Sequence, residues 1–280
     1  MVIDFHTHIF PPHLKANRSR YTAQDACFAA LYTDEKAGLA TAEELIDSMD
    51  RDGVDVSVVL NIGWTSHKLC VETNDYILES IARYPERLVG FGSVQPTCGD
   101  EALKEIERCA AGGMKGIGEI RPDVQGFDLT DRGLTQPLAR VLQEHDMILL
   151  THSSEPAGHP YPGKGCVTPD VLYPFIADNP GLKVVCAHWG GGLPFYALMP
   201  EVKKALVDVY FDTAASPFLY SPQIYRQVAD IIGADKILFG SDYPLMAQSR
   251  VIKEIKSAGL DAEAEDKILG GNARRLLGLD

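Results

Sequence analysis

Two histidines near the start of the chain have a spacing that suits a metal site. His6 and His8 are two residues apart in the segment Asp-Phe-His-Thr-His at positions 4–8. Side chains two residues apart in a strand point to the same side, so both imidazoles can face one ion. Two interior histidines can also be held by hydrogen bonds alone, and the pair by itself leaves both interpretations open.

Four more residues with metal-binding side chains lie at or just after the ends of short apolar segments further along the chain. They are Glu119, His152, His188 and Asp242. Imidazole and carboxylate donors suit Zn²⁺ first, with Mn²⁺ and Fe²⁺ as alternatives, and the six cysteines are too scattered for a thiolate site. If these residues meet, the sequence predicts an open metal site. Taken singly, each could be a surface carboxylate or a buried structural histidine.

Eight short apolar runs alternate with stretches of helical periodicity. The runs fall at 2–5, 56–62, 88–94, 114–120, 147–151, 183–187, 209–212 and 236–239. The helical stretches fall at 42–51, 68–84, 101–111, 133–145, 169–178, 194–205, 222–232 and 248–257. Continuous apolar runs are typical of strands buried on both faces of a parallel sheet. The repeats predict an α/β protein with one (β/α)₈ TIM barrel. The alternative, an open doubly wound sheet, lacks its usual glycine-rich turn here.

Two long segments interrupt the barrel pattern at the end of the strands where barrel active sites form. Residues 11–40 follow the first strand and 153–168 follow the fifth, so we interpret both as active-site loops. We interpret 261–280 as closing helices and 1–280 as one domain. His159, among the prolines and glycines of the second loop, is expected to contact substrate beneath a lid. A plain surface loop is the alternative.

Two further residues are candidates for substrate binding. Arg121 lies two residues after Glu119 and should share its side of the strand, where a guanidinium suits a substrate carboxylate. An ion pair within the protein is the alternative. Trp64 follows the second predicted strand and can form an apolar pocket wall or pack in the core.

Composition restricts the partners and the compartment. The 280 residues include 39 acidic and 26 basic side chains, a net charge of −13, which disfavours nucleic acid as a partner. The apolar runs are too short for a membrane-spanning helix, and the N-terminus lacks the features of a secretory signal. We therefore expect a cytoplasmic protein that acts on a small molecule and has no membrane partner. The sequence leaves open whether it forms a homo-oligomer.

Together these motifs resemble the amidohydrolase superfamily, in particular its amidohydrolase-2 branch of metal-dependent hydrolases and decarboxylases. The resemblance rests on the motif at 4–8, a histidine after each of the fifth and sixth strands, and Gly-Ser-Asp-Tyr-Pro at 240–244. Arg-Tyr-Pro-Glu-Arg-Leu at 83–88 and Gly-Asn-Ala-Arg-Arg-Leu-Leu at 271–277 support it, so it covers essentially the whole chain.

The resemblance implies a set of metal ligands. His6, His8, His152 and Asp242 would bind one ion, and His188 would bind a second ion or act as an acid or base. Glu119 stands where binuclear members of the superfamily have a carboxylated lysine, which leaves open whether one or two ions are bound. A glutamate in the neighbouring position binds metal in the TatD nuclease branch, so Glu119 is a candidate ligand or bridge between two ions.

The chemistry expected of such a site is hydrolysis. A metal ion lowers the pKa of bound water to about 7. Asp242 would then move the proton, and His188 would stabilise an oxyanion or donate a proton. We therefore expect a metal-dependent hydrolase of a small carboxylate- or carbonyl-containing substrate. The alternative is a non-oxidative decarboxylase of an unsaturated or aromatic acid. The charge disfavours a TatD-type nuclease, and the intact ligand positions disfavour a non-catalytic barrel.

Overall fold

The computed structural model describes residues 1–279 and shows eight parallel strands in a nearly closed barrel, each paired with its neighbours in chain order. The strands are β1 (Ile3–His8), β2 (Val56–Leu60), β3 (Leu88–Gly92), β4 (Gly116–Ile120), β5 (Ile148–Thr151), β6 (Val184–Cys186), β7 (Val209–Asp212) and β8 (Ile237–Leu238). The TIM-barrel prediction is confirmed, and each strand overlaps the apolar run that predicted it. Asp280, the last residue of the predicted closing segment, lies outside the described residues.

Backbone hydrogen bonds connect β1 to the segment after β8. The amide of His8 donates to the carbonyl of Tyr243 at 2.7 Å. In the other direction, the amide of Asp242 donates to the carbonyl of His6 at 2.9 Å. Closure of the barrel therefore brings the residues after β8 directly against the histidine motif.

Helices connect the strands. The longer ones are Ala42–Asp52, His67–Arg83, Asp100–Ala111, Arg132–Glu144, Pro169–Asp178, Gln223–Ile232 and Gln248–Ser257. The shorter ones after β4, β7 and β8 are Pro122–Gln125, Ser216–Leu219, Ala262–Asp266 and Asn272–Leu277, with a π turn at Lys267–Gly271. No helix within residues 1–279 is long and apolar enough to cross a membrane.

The helix Ala42–Asp52 illustrates how the sequence sets these elements. The Thr41 hydroxyl accepts a hydrogen bond from the amide of Glu44, and the Glu44 carboxylate accepts one from the amide of Thr41. This reciprocal cap satisfies backbone donors that the first turn leaves free. Gly53 ends the helix in a left-handed conformation, with φ of 73°. Leu45, on the inner face, is fully buried.

One predicted helix is interrupted. The stretch 194–205 forms a 3₁₀ turn, Leu193–Leu198, and then a separate helix, Pro200–Ala205. Between them Met199 has an extended backbone, with φ of −86° and ψ of 121°. The residue before a proline is disfavoured in the helical conformation, so Pro200 starts a new helix instead of continuing the first turn.

Residues 11–40, predicted as a long loop, form a helical insert. Three helices, Pro12–Ala16, Arg18–Gln24 and Ala26–Tyr32, occupy most of it. Helices of five to seven residues contain at most two turns, so they show too little apolar periodicity to be recognised in the sequence. Residues 153–168, the other predicted loop, form no helix or strand.

The insert is attached to the barrel through Asp25 and a layer of aromatic rings. One Asp25 oxygen accepts a hydrogen bond from the amide of Phe28 at 2.9 Å and begins the third helix. The other accepts from the amide of Thr65, after β2, at 2.8 Å. Phe28 stacks on Trp64, with ring centroids 5.4 Å apart. The insert is therefore a fixed part of the fold.

Asp4 links β1 to the segment after β8 from inside the barrel. Its fully buried carboxylate accepts hydrogen bonds from the amide and the hydroxyl of Ser241, at 2.9 and 2.5 Å, and from the side chain of Gln248 at 2.7 Å. Burial raises the pKa of Asp4 and these hydrogen bonds partly oppose the rise. The net result is a pKa of about 6. Without Asp4, the amide and hydroxyl of Ser241 would lose their acceptor, and the Gln248 side chain would keep only its 3.2 Å hydrogen bond to Ser57.

Replacing Asp4 by alanine should destabilise the fold strongly. Each buried donor left without an acceptor costs about 1–3 kcal/mol, so the free energy of unfolding in urea should fall by about 3 kcal/mol or more. Asp55→Ala is the matched control, because Asp55 also holds β1, through the amide of Val2 at 2.7 Å, but is exposed. A loss below about 1 kcal/mol for Asp4→Ala would contradict this role.

Candidate metal centre

β1 directs two imidazole nitrogens to one point. The Nε2 atoms of His6 and His8 are 3.1 Å apart, and both side chains are buried. Both rings lie on the same side of the strand, as the two-residue spacing predicts. Two Nε2 atoms at this distance can share a proton or face a common cation.

Two carboxylates approach the same point from other strands. Asp242 Oδ1, after β8, lies 3.4 Å from His8 Nε2 and 3.8 Å from His6 Nε2. Glu119 Oε2, in β4, lies 4.0 Å from each of these nitrogens. Two imidazoles and two carboxylates around a small gap form a donor set that divalent transition metals bind.

Glu119 also belongs to a second group of donors. Its Oε1 accepts a hydrogen bond from Nδ1 of His152 at 2.8 Å and lies 3.5 Å from Nε2 of His188. Ligand atoms of these three residues lie within 4.8 Å of one another. The expected ligands therefore divide into two groups that share Glu119. Nδ1 of His152 faces Glu119 and its Nε2 lies 3.1 Å from the hydroxyl of Ser154, so His152 is not grouped with His6 and His8.

Asp212, at the end of β7, is a site residue that the sequence motifs did not reveal. Its Oδ2 accepts a hydrogen bond from Nδ1 of His6 at 2.8 Å, and its Oδ1 accepts from the backbone amide of His188 at 2.9 Å. This contact keeps the proton of a neutral His6 ring on Nδ1 and directs Nε2 toward the centre. The available signal was a carboxylate closing the predicted strand 209–212.

Burial and charge have opposite effects on the histidines. Burial would lower the pKa of His6, but the carboxylate of Asp212, with those of Asp242 and Glu119, raises it to about 10. Burial would also lower the pKa of His188, but the hydrogen bond to Glu119 and the charge of Asp242 raise it to about 9. A metal must displace these protons, so its binding strengthens as the pH rises.

The two carboxylates are ionised. Burial would raise the pKa of Asp242, but a hydrogen bond from His8 and the charges of nearby histidines lower it to about 2. Burial also opposes ionisation of Glu119, but the charge and hydrogen bond of His152 hold its pKa well below its usual range. Ionised carboxylates balance the charge of a divalent cation, so the donor set fits such an ion.

A cavity of about 530 Å³ opens beside these donors. It is lined by His8, Glu119, His152, His188 and Asp242, and by apolar side chains that include Leu31, Tyr32, Phe218, Leu219 and Leu245. These apolar groups come from the insert and from the segments after β7 and β8. A largely apolar cavity of this volume with a few polar groups suits a small-molecule ligand.

Arg121 reaches the same cavity with a buried guanidinium. Its side chain is 2% exposed, Nη2 donates to the carbonyl of Gly163 at 2.8 Å, and the carboxylate of Asp123 lies 3.5 Å away. Nε and Nη1 are buried and have no hydrogen-bond partner among residues 1–279. The guanidinium therefore has two donors left for an anionic ligand.

The two other expected substrate contacts differ in position. His159, in the exposed part of 153–168, contributes to the cavity wall. Trp64 is fully buried, stacks on Phe28, and donates from Nε1 to the side chain of Asn61 at 3.2 Å. The insert covers Trp64, so its ring lies in the packed layer behind the wall.

Removing both imidazoles of β1 should empty the metal centre. His6 and His8 are two of the four residues whose metal-ligating atoms meet beside β1. The variant His6→Ala/His8→Ala should therefore lose most of its bound metal, as measured by elemental analysis. The control is His13→Ala/His145→Ala, which removes two exposed histidines. Equal metal content in the two variants would contradict the assignment.

Comparison with known proteins supports a metal-dependent enzyme. A family model described as amidohydrolase matches residues 3–279. Over an alignment 333 positions long, gaps included, the chain is 24% identical to the 2-amino-3-carboxymuconate-6-semialdehyde decarboxylase of Dictyostelium discoideum, covering 99% of this chain and 92% of that protein. It is also 24% identical over 250 residues to a gamma-resorcylate decarboxylase of Polaromonas sp., covering 74% and 75%.

Solved structures have the same fold. A 5-carboxyvanillate decarboxylase from Sphingomonas paucimobilis aligns with a TM-score of 0.79 and 19% identity, over 100% of this chain and 99% of that chain. A 5-carboxyvanillate decarboxylase from Novosphingobium aromaticivorans, complexed with manganese and 4-hydroxy-3-methoxy-5-nitrobenzoic acid, has a TM-score of 0.80 at 19% identity, covering 100% and 96%. Since the family model spans almost all of the sequence, this chain belongs to the amidohydrolase family, in its amidohydrolase-2 branch, and is an enzyme of that family.

Proposed function

We propose that this chain is a metal-dependent, non-oxidative decarboxylase of a small aromatic or unsaturated acid. The observation that carries the proposal is the cavity, which combines the carboxylate of Asp242 beside the histidines with the buried guanidinium of Arg121. The curated relatives described above are decarboxylases by name. They favour decarboxylation over the hydrolysis that the motifs alone favoured.

The proposed ligands of one ion are His6, His8, Asp242 and Glu119, whose ligand atoms meet beside the Nε2 atoms of the two histidines. Glu119 also faces His152, and together with His152 and His188 it would hold a second ion. A divalent ion held by these residues, Mn²⁺ or Zn²⁺, would supply positive charge that stabilises negative charge built up during bond breaking. The donor atoms accommodate one or two ions.

Arg121 is proposed to bind the substrate anion. Nη2 is paired with the carboxylate of Asp123, but the Nε and Nη1 donors are buried without a partner, and buried donors without an acceptor are costly. A carboxylate can accept two parallel hydrogen bonds from a guanidinium, which fixes its orientation as well as its position. His159, at the exposed rim of the cavity, is proposed to contact the substrate from the loop 153–168.

Asp242 is proposed to move the proton. In its ionised form it takes a proton from water or from the substrate's acid group and delivers it to the carbon that bears the carboxylate. The bond from that carbon to the carboxylate then breaks, its electron pair returns to the ring or double bond, and carbon dioxide leaves. The overall reaction converts the acid into carbon dioxide and a product that carries hydrogen in place of the carboxylate. It needs no oxidant. His188, on the cavity wall, is the other group that could donate the proton.

Product analysis distinguishes decarboxylation from hydrolysis. The metal-loaded protein should release labelled carbon dioxide from a panel of carboxyl-¹³C acids, comprising gamma-resorcylate, 5-carboxyvanillate and 6-methylsalicylate. A chelator should stop the release, and added Mn²⁺ or Zn²⁺ should restore it. Incorporation of ¹⁸O from labelled water into a cleaved amide or lactone substrate, with no carbon dioxide from the panel, would establish hydrolysis instead.

Asp242→Asn should lower turnover by roughly 10²–10⁴, the usual contribution of general acid–base catalysis. Asp242 has a φ of 65°, which asparagine tolerates, so the backbone should be preserved. Metal content must be measured alongside the rate, because asparagine is a weaker ligand, and Asp208→Asn, at an exposed carboxylate, is the control. Near-normal turnover in a fully metallated Asp242→Asn enzyme would assign the proton transfer to another group.

A further inference from the structure

The insert brings one aromatic hydroxyl to the cavity wall, that of Tyr32. We propose that Tyr32 is a specificity-determining residue whose hydroxyl donates a hydrogen bond to an acceptor oxygen of the bound acid. The assignment of the ligand as an aromatic acid rests on the proposed function. The binding role of Tyr32 rests on its packing against other aromatic rings, its place in the cavity wall and its hydroxyl.

The ring of Tyr32 is held by other aromatic side chains. It lies 4.8 Å from the ring of Phe28 and 5.2 Å from that of Phe10, between centroids. Phe28 is in turn stacked on Trp64. Tyr32 is 8% exposed and belongs to the cavity lining. The packing therefore fixes its position in the wall without help from its hydroxyl.

That hydroxyl has no hydrogen-bond partner among residues 1–279. The other tyrosine of the aromatic cluster, Tyr21, donates to the carboxylate of Glu72 at 2.8 Å. A phenylalanine would fill the place of Tyr32 equally well, and the Tyr32 hydroxyl is not among the buried atoms without a partner, so it is accessible from the cavity. The fold therefore gains nothing from this oxygen, whereas a ligand in the cavity would find a free donor.

The charges around Tyr32 match this role. Burial, together with the carboxylates of Asp242 and Glu119, raises the pKa of Tyr32 well above its usual value. The phenol therefore stays protonated and can donate. Tyr32 lines the same cavity as these carboxylates, so an acid bound beside them would occupy the cavity that Tyr32 borders. All these acids carry a carboxylate. A hydroxyl at this position favours acids that have a further acceptor oxygen on the ring or chain over those whose other substituents are apolar.

The test compares Tyr32→Phe with Tyr21→Phe, which removes a hydroxyl from the same aromatic cluster but away from the cavity. Binding of 4-hydroxy-3-methoxy-5-nitrobenzoic acid and of the panel acids to the Mn²⁺-loaded protein is measured by calorimetry. Tyr32→Phe should weaken binding about 10- to 100-fold, as expected for a lost hydrogen bond to a charged acceptor. Its melting temperature should not fall, and Tyr21→Phe should bind like the parent.

The outcomes separate this inference from the proposed function. Unchanged affinity in Tyr32→Phe, while the parent releases carbon dioxide, would overturn the role of Tyr32 alone. A fall in melting temperature, or an equal loss of affinity in Tyr21→Phe, would overturn it in favour of a structural role. Weakened binding in Tyr32→Phe without carbon dioxide release by the parent would support Tyr32 and overturn decarboxylation. If the parent binds none of these acids, the role of Tyr32 and an aromatic acid as substrate are both wrong.

Discussion

The backbone bonds between β1 and the segment after β8 are the constraint on which the site depends. The amide of Asp242 donates to the carbonyl of His6, so residues 236 positions apart become neighbours. Each residue then places a potential metal-ligating atom at the same site, with Nε2 of His6 3.8 Å from Oδ1 of Asp242. A barrel left open at this seam would separate the imidazoles of β1 from their carboxylate.

Several residues at the site adopt a backbone conformation that is unfavourable for them. His188, Ala215 and Asp242, which line the cavity, have φ between 54° and 65°. This left-handed region costs a residue with a side chain roughly 1–2 kcal/mol, so it persists where surrounding contacts hold it. The carboxylate of Asp212 provides one such contact, since it binds the amide of His188 at 2.9 Å. The strain turns side chains after β6 and β8 into the cavity.

The sequence predicts the parts of the molecule that depend on local patterns. Eight apolar runs revealed the strands, and the two-residue spacing of His6 and His8 revealed their common direction. Asp212 could not be recognised in this way, because its role depends on a contact with His6 across the closed barrel. The same holds for the division of the donors around Glu119. It follows from a hydrogen bond to His152 that no spacing along the chain specifies.

The insert has a consequence for how the protein can change during evolution. It is one continuous stretch of sequence, 11–40, while the proposed metal ligands are distributed over strand ends elsewhere in the barrel. Substitutions within the insert can reshape one wall of the cavity without moving any of these metal-ligating atoms. A single gene segment can therefore acquire a new ligand preference while the chemistry beside it is conserved, so recognition and reactivity can diverge independently in this chain.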